Sequence, residues 1–218
     1  MTLRVIAIDG PAGSGKSTVA RALAERLDLE YLDTGAMYRS VAFAALRVDV
    51  DPSDGEAVAA LTLALTIEVD SGVVAVDGVD ASIEIRGPEV TRAVSVVAAN
   101  PVVRRDMRDR QRAWAEKRGG GVIEGRDIGT VVFPDAVLKV YLTADAEARA
   151  GRRAQEVTNL DYETVAADIA RRDALDQGRA DSPLVEATDA VVIDTTDRSV
   201  DHIVDEVLDR LSAAEAAR

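Results

Sequence analysis

Residues 10–18 of this chain read Gly-Pro-Ala-Gly-Ser-Gly-Lys-Ser-Thr and follow the apolar run Val5-Ile6-Ala7-Ile8. This is the spacing G-x-x-x-x-G-K-[ST], with Gly10, Gly15, Lys16 and Ser17 in register, and it belongs where a buried strand hands over to a helix. Gly10, Gly13 and Gly15 let the backbone turn tightly and aim its N–H groups inward at an anion. A helix opening near Gly15 adds the partial positive charge of its N-terminus. Lys16 brings a full charge to the β- and γ-phosphates of a nucleotide, and Ser17 offers a hydroxyl to Mg²⁺. Pro11, Ala12, Ser14 and Thr18 complete the cradle. The segment therefore commits the chain to a strand–loop–helix unit that binds phosphate.

The rest of the sequence repeats that alternation. Short apolar runs bounded by turn residues predict buried parallel strands at 4–9, 30–33, 121–124, 138–143 and 190–194. Helical patterns lie between them. The helix begun near Gly15 continues to Leu27, and others are expected at 36–46, 88–99, 101–117, 144–155 and 162–176. The clearest covers 199–211, where Val200, Ile203, Val204, Val207, Leu208 and Leu211 form one apolar stripe. The expected fold is an α/β domain of the P-loop NTPase type: a doubly wound, five-stranded parallel sheet with helices on both faces. One stretch departs from this pattern. From Leu65 to Gly78 the residues alternate with period two around Asp70-Ser71-Gly72 and Asp77-Gly78, which reads as antiparallel hairpins. Residues 55–100 are expected to form a small antiparallel insertion within a single domain spanning 1–218. The tail 213–218 is expected to fray.

At 218 residues and 47% apolar content the chain can bury a full core, and with only 3% aromatic residues that core must be built from Val, Ala, Leu and Ile. Its net charge of −13 opposes long-range attraction to a nucleic-acid backbone, yet leaves room for a local basic pocket. There is no cysteine, which excludes disulfides, thiolate metal sites and thiol catalysis. Met1 to Ile8 is too short for a signal peptide, and no apolar run approaches the length of a membrane span. A soluble, cytoplasmic protein is expected.

Phosphoryl transfer needs two polyanions held in line, so cations should gather near the carboxyl edge of the sheet. Asp33 ends the second strand, Thr34 is placed to cap the following helix, and Arg39 stands about one turn in. Taken alone, Arg39 reads as a surface arginine. Arg126 and Asp127 follow the third parallel strand in Glu124-Gly-Arg-Asp-Ile-Gly129, a run that packing does not explain. Arg149, Arg152 and Arg153 share one helix at spacings that destabilise unless something anionic lies among them. Arg171, Arg172, Asp173, Asp176 and Arg179, taken alone, read as an exposed charged helix. His202, the single histidine, is expected at the surface, and Trp114 reads as a packing residue.

These residues together identify a family. The runs Gly10–Thr18, Leu32-Asp-Thr-Gly-Ala-Met-Tyr-Arg39 and Ile123-Glu-Gly-Arg-Asp-Ile-Gly-Thr-Val-Val-Phe-Pro-Asp-Ala136 resemble bacterial cytidylate kinase, a P-loop nucleoside monophosphate kinase. So do the Arg149, Arg152, Arg153 cluster and Arg172-Asp173…Asp176…Arg179…Ser182-Pro-Leu184. Order and spacing match over about residues 3–212. The phosphate loop is common to many families, whereas the second and third runs are far more specific.

The resemblance implies ATP and Mg²⁺ as donor and ion, CMP and dCMP as acceptors, and CDP or dCDP as product, in pyrimidine nucleotide metabolism. It implies that Arg39, Arg126 and Arg179 grip the acceptor phosphate, and that Ser95, Arg104 and Asp127 read cytosine. It places Thr34 beside the acceptor, Arg172 and Asp176 on the ribose, and Arg152 and Arg153 over the ATP phosphates, from a lid at 152–172. Lys16, Arg126, Arg152, Arg153 and Asp127 would then carry the chemistry, with Ser17 as the metal-side hydroxyl. A monomer with neither a nucleic-acid nor a membrane partner is expected. Two details depart from the family: the stretch from Arg153 to Arg172 is short, and Ala136-Val137 stands where Ala-Pro is usual. The phosphate loop alone would equally suit a small kinase acting on AMP, shikimate or a coenzyme precursor. A guanine-reading switch would need Asn-Lys-x-Asp, and no such run occurs.

Overall fold

The computed structural model describes residues 3–70, 72–156 and 161–217. In chain order the strands are β1 (Arg4–Asp9), β2 (Tyr31–Asp33), β3 (Ile67–Asp70), β4 (Val73–Val76), β5 (Val79–Asp80), β6 (Gly120–Glu124), β7 (Leu138–Thr143) and β8 (Val191–Asp194). The α-helices are α1 (Lys16–Leu27), α2 (Thr34–Arg47), α3 (Gly55–Ala64), α4 (Pro88–Val97), α5 (Pro101–Arg118), α6 (Ala146–Glu156), α7 (Tyr162–Gln177) and α8 (Val200–Ala216). The chain divides into two compact units, residues 1–30 with 118–218, and residues 31–117.

The parallel sheet has the strand order β2-β6-β1-β7-β8, and β6, β1, β7 and β8 lie in the first unit. β1 runs through its centre, paired from Arg4↔Gly120 to Ile8↔Glu124 on one side and from Ile6↔Leu138 to Asp9↔Tyr141 on the other. Both faces of such a strand are covered, which is why Val5, Ile6, Ala7 and Ile8 are all buried rather than alternating. Each fully buried Val or Ile contributes roughly 1.5–3 kcal/mol relative to exposure. The α8 stripe lies as its period predicts, with Ile203, Val204, Val207 and Leu211 buried. In this register Asp9, Glu124, Thr143 and Asp194 close their strands at one carboxyl edge, where ligands bind in open parallel sheets. The doubly wound five-stranded sheet expected from the sequence is present.

The second unit contains a three-stranded antiparallel sheet ordered β3-β4-β5, with Ile67↔Val76 to Asp70↔Val73 in register. Asp77 and Gly78 both have positive φ, 50° and 76°, as a two-residue turn matching strand twist requires. Of the other turn read from sequence, Ser71 lies outside the described residues.

Three expectations need correction. Residues 55–64 form α3, not part of a β insertion. Asp54 accepts from the Ala57 N–H as N-cap, and Val58 and Thr62 face inward one turn apart, so an Ala-rich segment with a capping carboxylate folds as a helix. The cap of α2 is Asp33, not Thr34. The Asp33 carboxylate reaches the Ala36 N–H at 3.0 Å, which makes Thr34 the first helical residue. The tail does not fray from 213: Ala213, Ala214, Glu215 and Ala216 are good helix formers and extend α8. An exposed Arg4–Glu215 pair at 2.8 Å ties its last turn to the start of β1.

Candidate active site

The phosphate loop follows β1 and hands over to α1 at Gly15, which adopts φ 83°. Two glycines are demanded by close approach as well as conformation. A Cβ on Gly10, at φ 146°, would lie 2.1 Å from the Leu142 carbonyl of β7, and one on Gly13, at φ 75°, would lie 2.7 Å from the Arg149 carbonyl of α6. Lys16 is buried and folds back over the loop, its Nζ donating to the Pro11 carbonyl at 2.7 Å and to Ser14 Oγ at 3.5 Å. Burial lowers the Lys16 pKa to about 7, and the positive charges of Arg126 and Arg172 push the same way against Glu124 and Asp9. Ser17 and Thr18 are exposed on the first turn of α1.

The loop is held from behind. Ser14 is buried, and its carbonyl accepts from Thr195 Oγ1 at 3.1 Å. Thr195 in turn takes two hydrogen bonds from Arg152: Nη1 to its hydroxyl at 2.8 Å and Nη2 to its carbonyl at 2.6 Å. The Arg152 guanidinium also stands 3.7 Å from the place a Cβ of Gly15 would occupy. The Ala12 N–H donates to Asp173 Oδ1, and Arg149 donates to both the Ala12 carbonyl and Asp173 Oδ2.

After β6 the backbone enters a wide helical turn at Ile128–Val132. Its first N–H groups, from Ile128 and Gly129, donate to the two oxygens of Asp9 at 2.9 and 2.7 Å. Burial raises the Asp9 pKa to about 6; these two donors and Lys16 work against that rise, and Asp127 adds to it. Asp9 thereby fixes the turn that presents Arg126 and Asp127. Arg126 Nε donates to Asp176 Oδ2 at 2.8 Å, and Arg179 Nη2 donates to Asp176 Oδ1, so one buried carboxylate on α7 joins both arginines. Burial would raise the Asp176 pKa, but Arg126 and Arg179 outweigh it and hold the carboxyl below its ordinary value.

Arg172, also on α7, has a buried Nε without a hydrogen-bond partner among the described residues. Burial lowers its pKa to about 10, with Arg126 and Arg153 adding repulsion that Asp176 and Asp173 partly relieve. Lys16, Arg126, Arg153 and Arg172 thus form a run of cations that repel one another, the arrangement a polyanion would relieve.

On the second unit, Thr34 and Ser95 are buried, at the head of α2 and on α4. Arg39 of α2 donates to Thr91 Oγ1 of α4 at 2.9 Å, one turn before Ser95, and to the Ile85 carbonyl at 3.1 Å. Arg104, 1% exposed, donates to the Ala98 carbonyl at 3.2 Å and sits 5.5 Å over the Tyr38 ring.

The site residues expected from sequence therefore fall into two groups: the loop residues 10–18 with Arg126, Asp127, Arg152, Arg153, Arg172, Asp176 and Arg179 on one unit, and Thr34, Arg39, Ser95 and Arg104 on the other. Asp9 and Thr195 were not singled out by sequence, and Asp173 was named only as a member of a charged run, with no role of its own. Periodicity could have shown Asp173 and Asp176, because Val165, Ile169, Asp173 and Asp176 follow helical spacing along one face of α7, and all four are buried. His202 is exposed and Trp114 partly buried. Among the described residues, no group of three or more His, Cys, Asp or Glu could hold a metal, and no helix is long and apolar enough to cross a membrane.

The chain matches the family model for cytidylate kinase over residues 6–213. It is 47% identical to a cytidylate kinase of Corynebacterium glutamicum, covering 96% of this chain and 95% of that protein. It is 51% identical to a cytidylate kinase of Nocardia farcinica, covering 93% and 91%. Among solved structures, TT1252 from Thermus thermophilus aligns with TM-score 0.51 at 18% identity over 98% of each chain. A gluconokinase from Sinorhizobium meliloti aligns with TM-score 0.50 at 16% identity over 99% of this chain and 96% of its own, and both show the shared fold. On the matched family model and the near full-length identity, the chain belongs to the cytidylate kinase family.

Proposed function

We propose that the chain transfers the γ-phosphoryl group of ATP to CMP or dCMP, giving ADP and CDP or dCDP. Family membership supplies the kinase activity and the nucleotide substrates. The observation that carries the donor side is the buried Lys16 under a glycine loop, in the field of Arg126 and Arg172. Loop N–H groups and the head of α1 would cradle the donor phosphates, and Lys16 would swing from the Pro11 carbonyl to the bridging oxygens. Mg²⁺ fits this residue set: the exposed Ser17 hydroxyl offers one hard oxygen, and an ion that keeps waters and takes its other ligands from phosphates needs no carboxylate cage. When bound, Mg²⁺ would neutralise charge on the transferring group.

The acceptor side is read from this chain's own groups. Arg39, Arg126 and Arg179 are proposed to hold the CMP phosphate, with Asp176 keeping the last two oriented. Asp127 would accept from the cytosine amino group, while Arg104 and Ser95 donate to the ring carbonyl and nitrogen. Thr34 would lie beside the acceptor, with Arg172 and Asp176 on the ribose. Arg152 and Arg153 would approach the ATP phosphates as residues 152–172 close, a segment whose residues 157–160 lie outside those described. The antiparallel stretch within 55–100 would serve the monophosphate side. The acceptor oxygen attacks directly, so no covalent intermediate on the protein is required. A cytoplasmic monomer acting on small molecules alone, with neither nucleic acid nor membrane as partner, completes the proposal.

Chromatography of a reaction containing ATP, Mg²⁺ and CMP tests it. ADP and CDP should rise in equal amounts. Consumption of ATP without CDP would refute the assignment.

A further inference from the structure

We propose that Asp173 and Arg149 are positioning residues that set the shape of the phosphate loop from outside it. The two side chains and the Ala12 backbone close a ring. Asp173 Oδ1 accepts the Ala12 N–H at 3.1 Å, Arg149 Nη1 donates to the Ala12 carbonyl at 3.1 Å, and Arg149 pairs with Asp173 Oδ2. The pair is largely dry, with side-chain exposures of 15% for Arg149 and 11% for Asp173, so these bonds are not traded freely for water. The Ala12 methyl packs in the same place, clustered with Ala150 of α6 and Val165 and Ile169 of α7. Gly13 completes the contact, because its Cα runs so close to α6 that a Cβ would meet the Arg149 backbone.

The crest of the loop is thus docked on α6 and α7 by two hydrogen bonds to its backbone and an apolar contact, and an ion pair joins the two anchoring side chains. The consequence follows from how such loops bind. Backbone N–H groups stabilise phosphate only when already aimed, and a loop of small residues has little rigidity of its own. Neither side chain needs to touch a nucleotide for its loss to misplace the cradle. An error of about 1 Å in such a site can cost on the order of 100-fold. The ring also ties the loop to both ends of the stretch proposed to close over ATP, since Arg149 precedes it and Asp173 follows it.

The proposal rests on ATP binding at this loop, and the test separates the two ideas. Asp173→Ala, Asp173→Asn, Arg149→Ala and the double Asp173→Ala/Arg149→Ala variant would be compared with wild type by KM for ATP and for CMP, ADP affinity by calorimetry, and hydrogen exchange of residues 10–15. Asp173→Ala should raise KM for ATP and weaken ADP binding about 10- to 100-fold, with KM for CMP within about threefold. Asp173→Asn keeps an oxygen for the Ala12 N–H and should recover part of that loss. The double variant should lose little more than either single, because the ring acts as one unit. Faster exchange at residues 10–15 should accompany each loss. Should Asp173→Ala fail to fold, Asp173→Asn and Arg149→Ala carry the comparison. Unchanged loop exchange in folded variants, or an equal rise in both KM values, would overturn the proposal. Wild type that binds no ADP would instead refute the functional reading, and loop exchange would still decide the anchoring.

Discussion

Nucleotide binding should draw a proton into Lys16. In the free chain burial and the charges of Arg126 and Arg172 lower its pKa to about 7. At pH 8 such an amine is only about one-tenth protonated, and at pH 6 about nine-tenths. A bound di- or triphosphate places several negative charges against it, which favours the ammonium and returns the pKa toward its ordinary range. Binding at pH 8 should therefore take up most of a proton per site, and at pH 6 the uptake should vanish or reverse, because Lys16 is then mostly charged already while a terminal phosphate with a second pKa near 6 gives up part of its own proton. The nucleotide contributes little at pH 8, because a terminal phosphate with a second pKa near 6 is then already ionised. The assay is calorimetric titration of ADP at fixed pH in buffers of different ionisation enthalpy, where the slope of apparent enthalpy gives the protons bound. Lys16→Met should remove the slope. A slope of zero at pH 8 in the wild type, or one unchanged in Lys16→Met, would refute the reasoning. The same depressed value has a consequence for folding. The unfolded chain holds that proton more tightly, so between about pH 7 and 10 this group makes the free protein more stable as pH rises.

Gly13→Ala should abolish ATP-dependent transfer and lower the melting temperature, since its Cβ would sit 2.7 Å from the Arg149 carbonyl at a φ of 75°; calorimetry and an activity assay report both. Arg126→Ala should weaken CMP binding far more than ADP binding, because it also leaves Asp176 with one guanidinium instead of two; titration with each nucleotide separates them. Asp127→Asn should blur CMP against UMP, since the amide can donate to the uracil carbonyl as well as accept, read as a fall in the ratio of the two kcat/KM values.

The architecture was legible because parallel strands buried on both faces read as unbroken apolar runs, and helices of this size carry their own period. Strands 4–9 and 138–143 fall where the sequence put them. What it concealed has physical causes. Residues 55–64 were absorbed into a β reading because the clear alternation at 65–78 dominated its surroundings, although Asp54 and the Ala-rich run after it already signalled a helix. Asp33 took the cap from Thr34 because its carboxylate reaches Ala36 while Thr34 is drawn into the helix. The residue types of the site were visible, as Lys16, Arg126 and Arg172 were, but their partners were not. Asp173 meets Ala12 across 161 positions of sequence, and Asp176 meets Arg126 across 50. Such pairings are set by how α7 docks, which no local pattern encodes. The charged segment 171–179 reads as solvated until its apolar neighbours Val165 and Ile169 show which face turns inward.

Steady-state ADP release measured across CMP, dCMP, UMP, AMP and GMP weighs most directly on the assignment. CMP and dCMP should give the largest kcat/KM, with UMP well below them and the purine nucleotides near background. Turnover of AMP or GMP matching that of CMP, or no ADP release with CMP present, would contradict it.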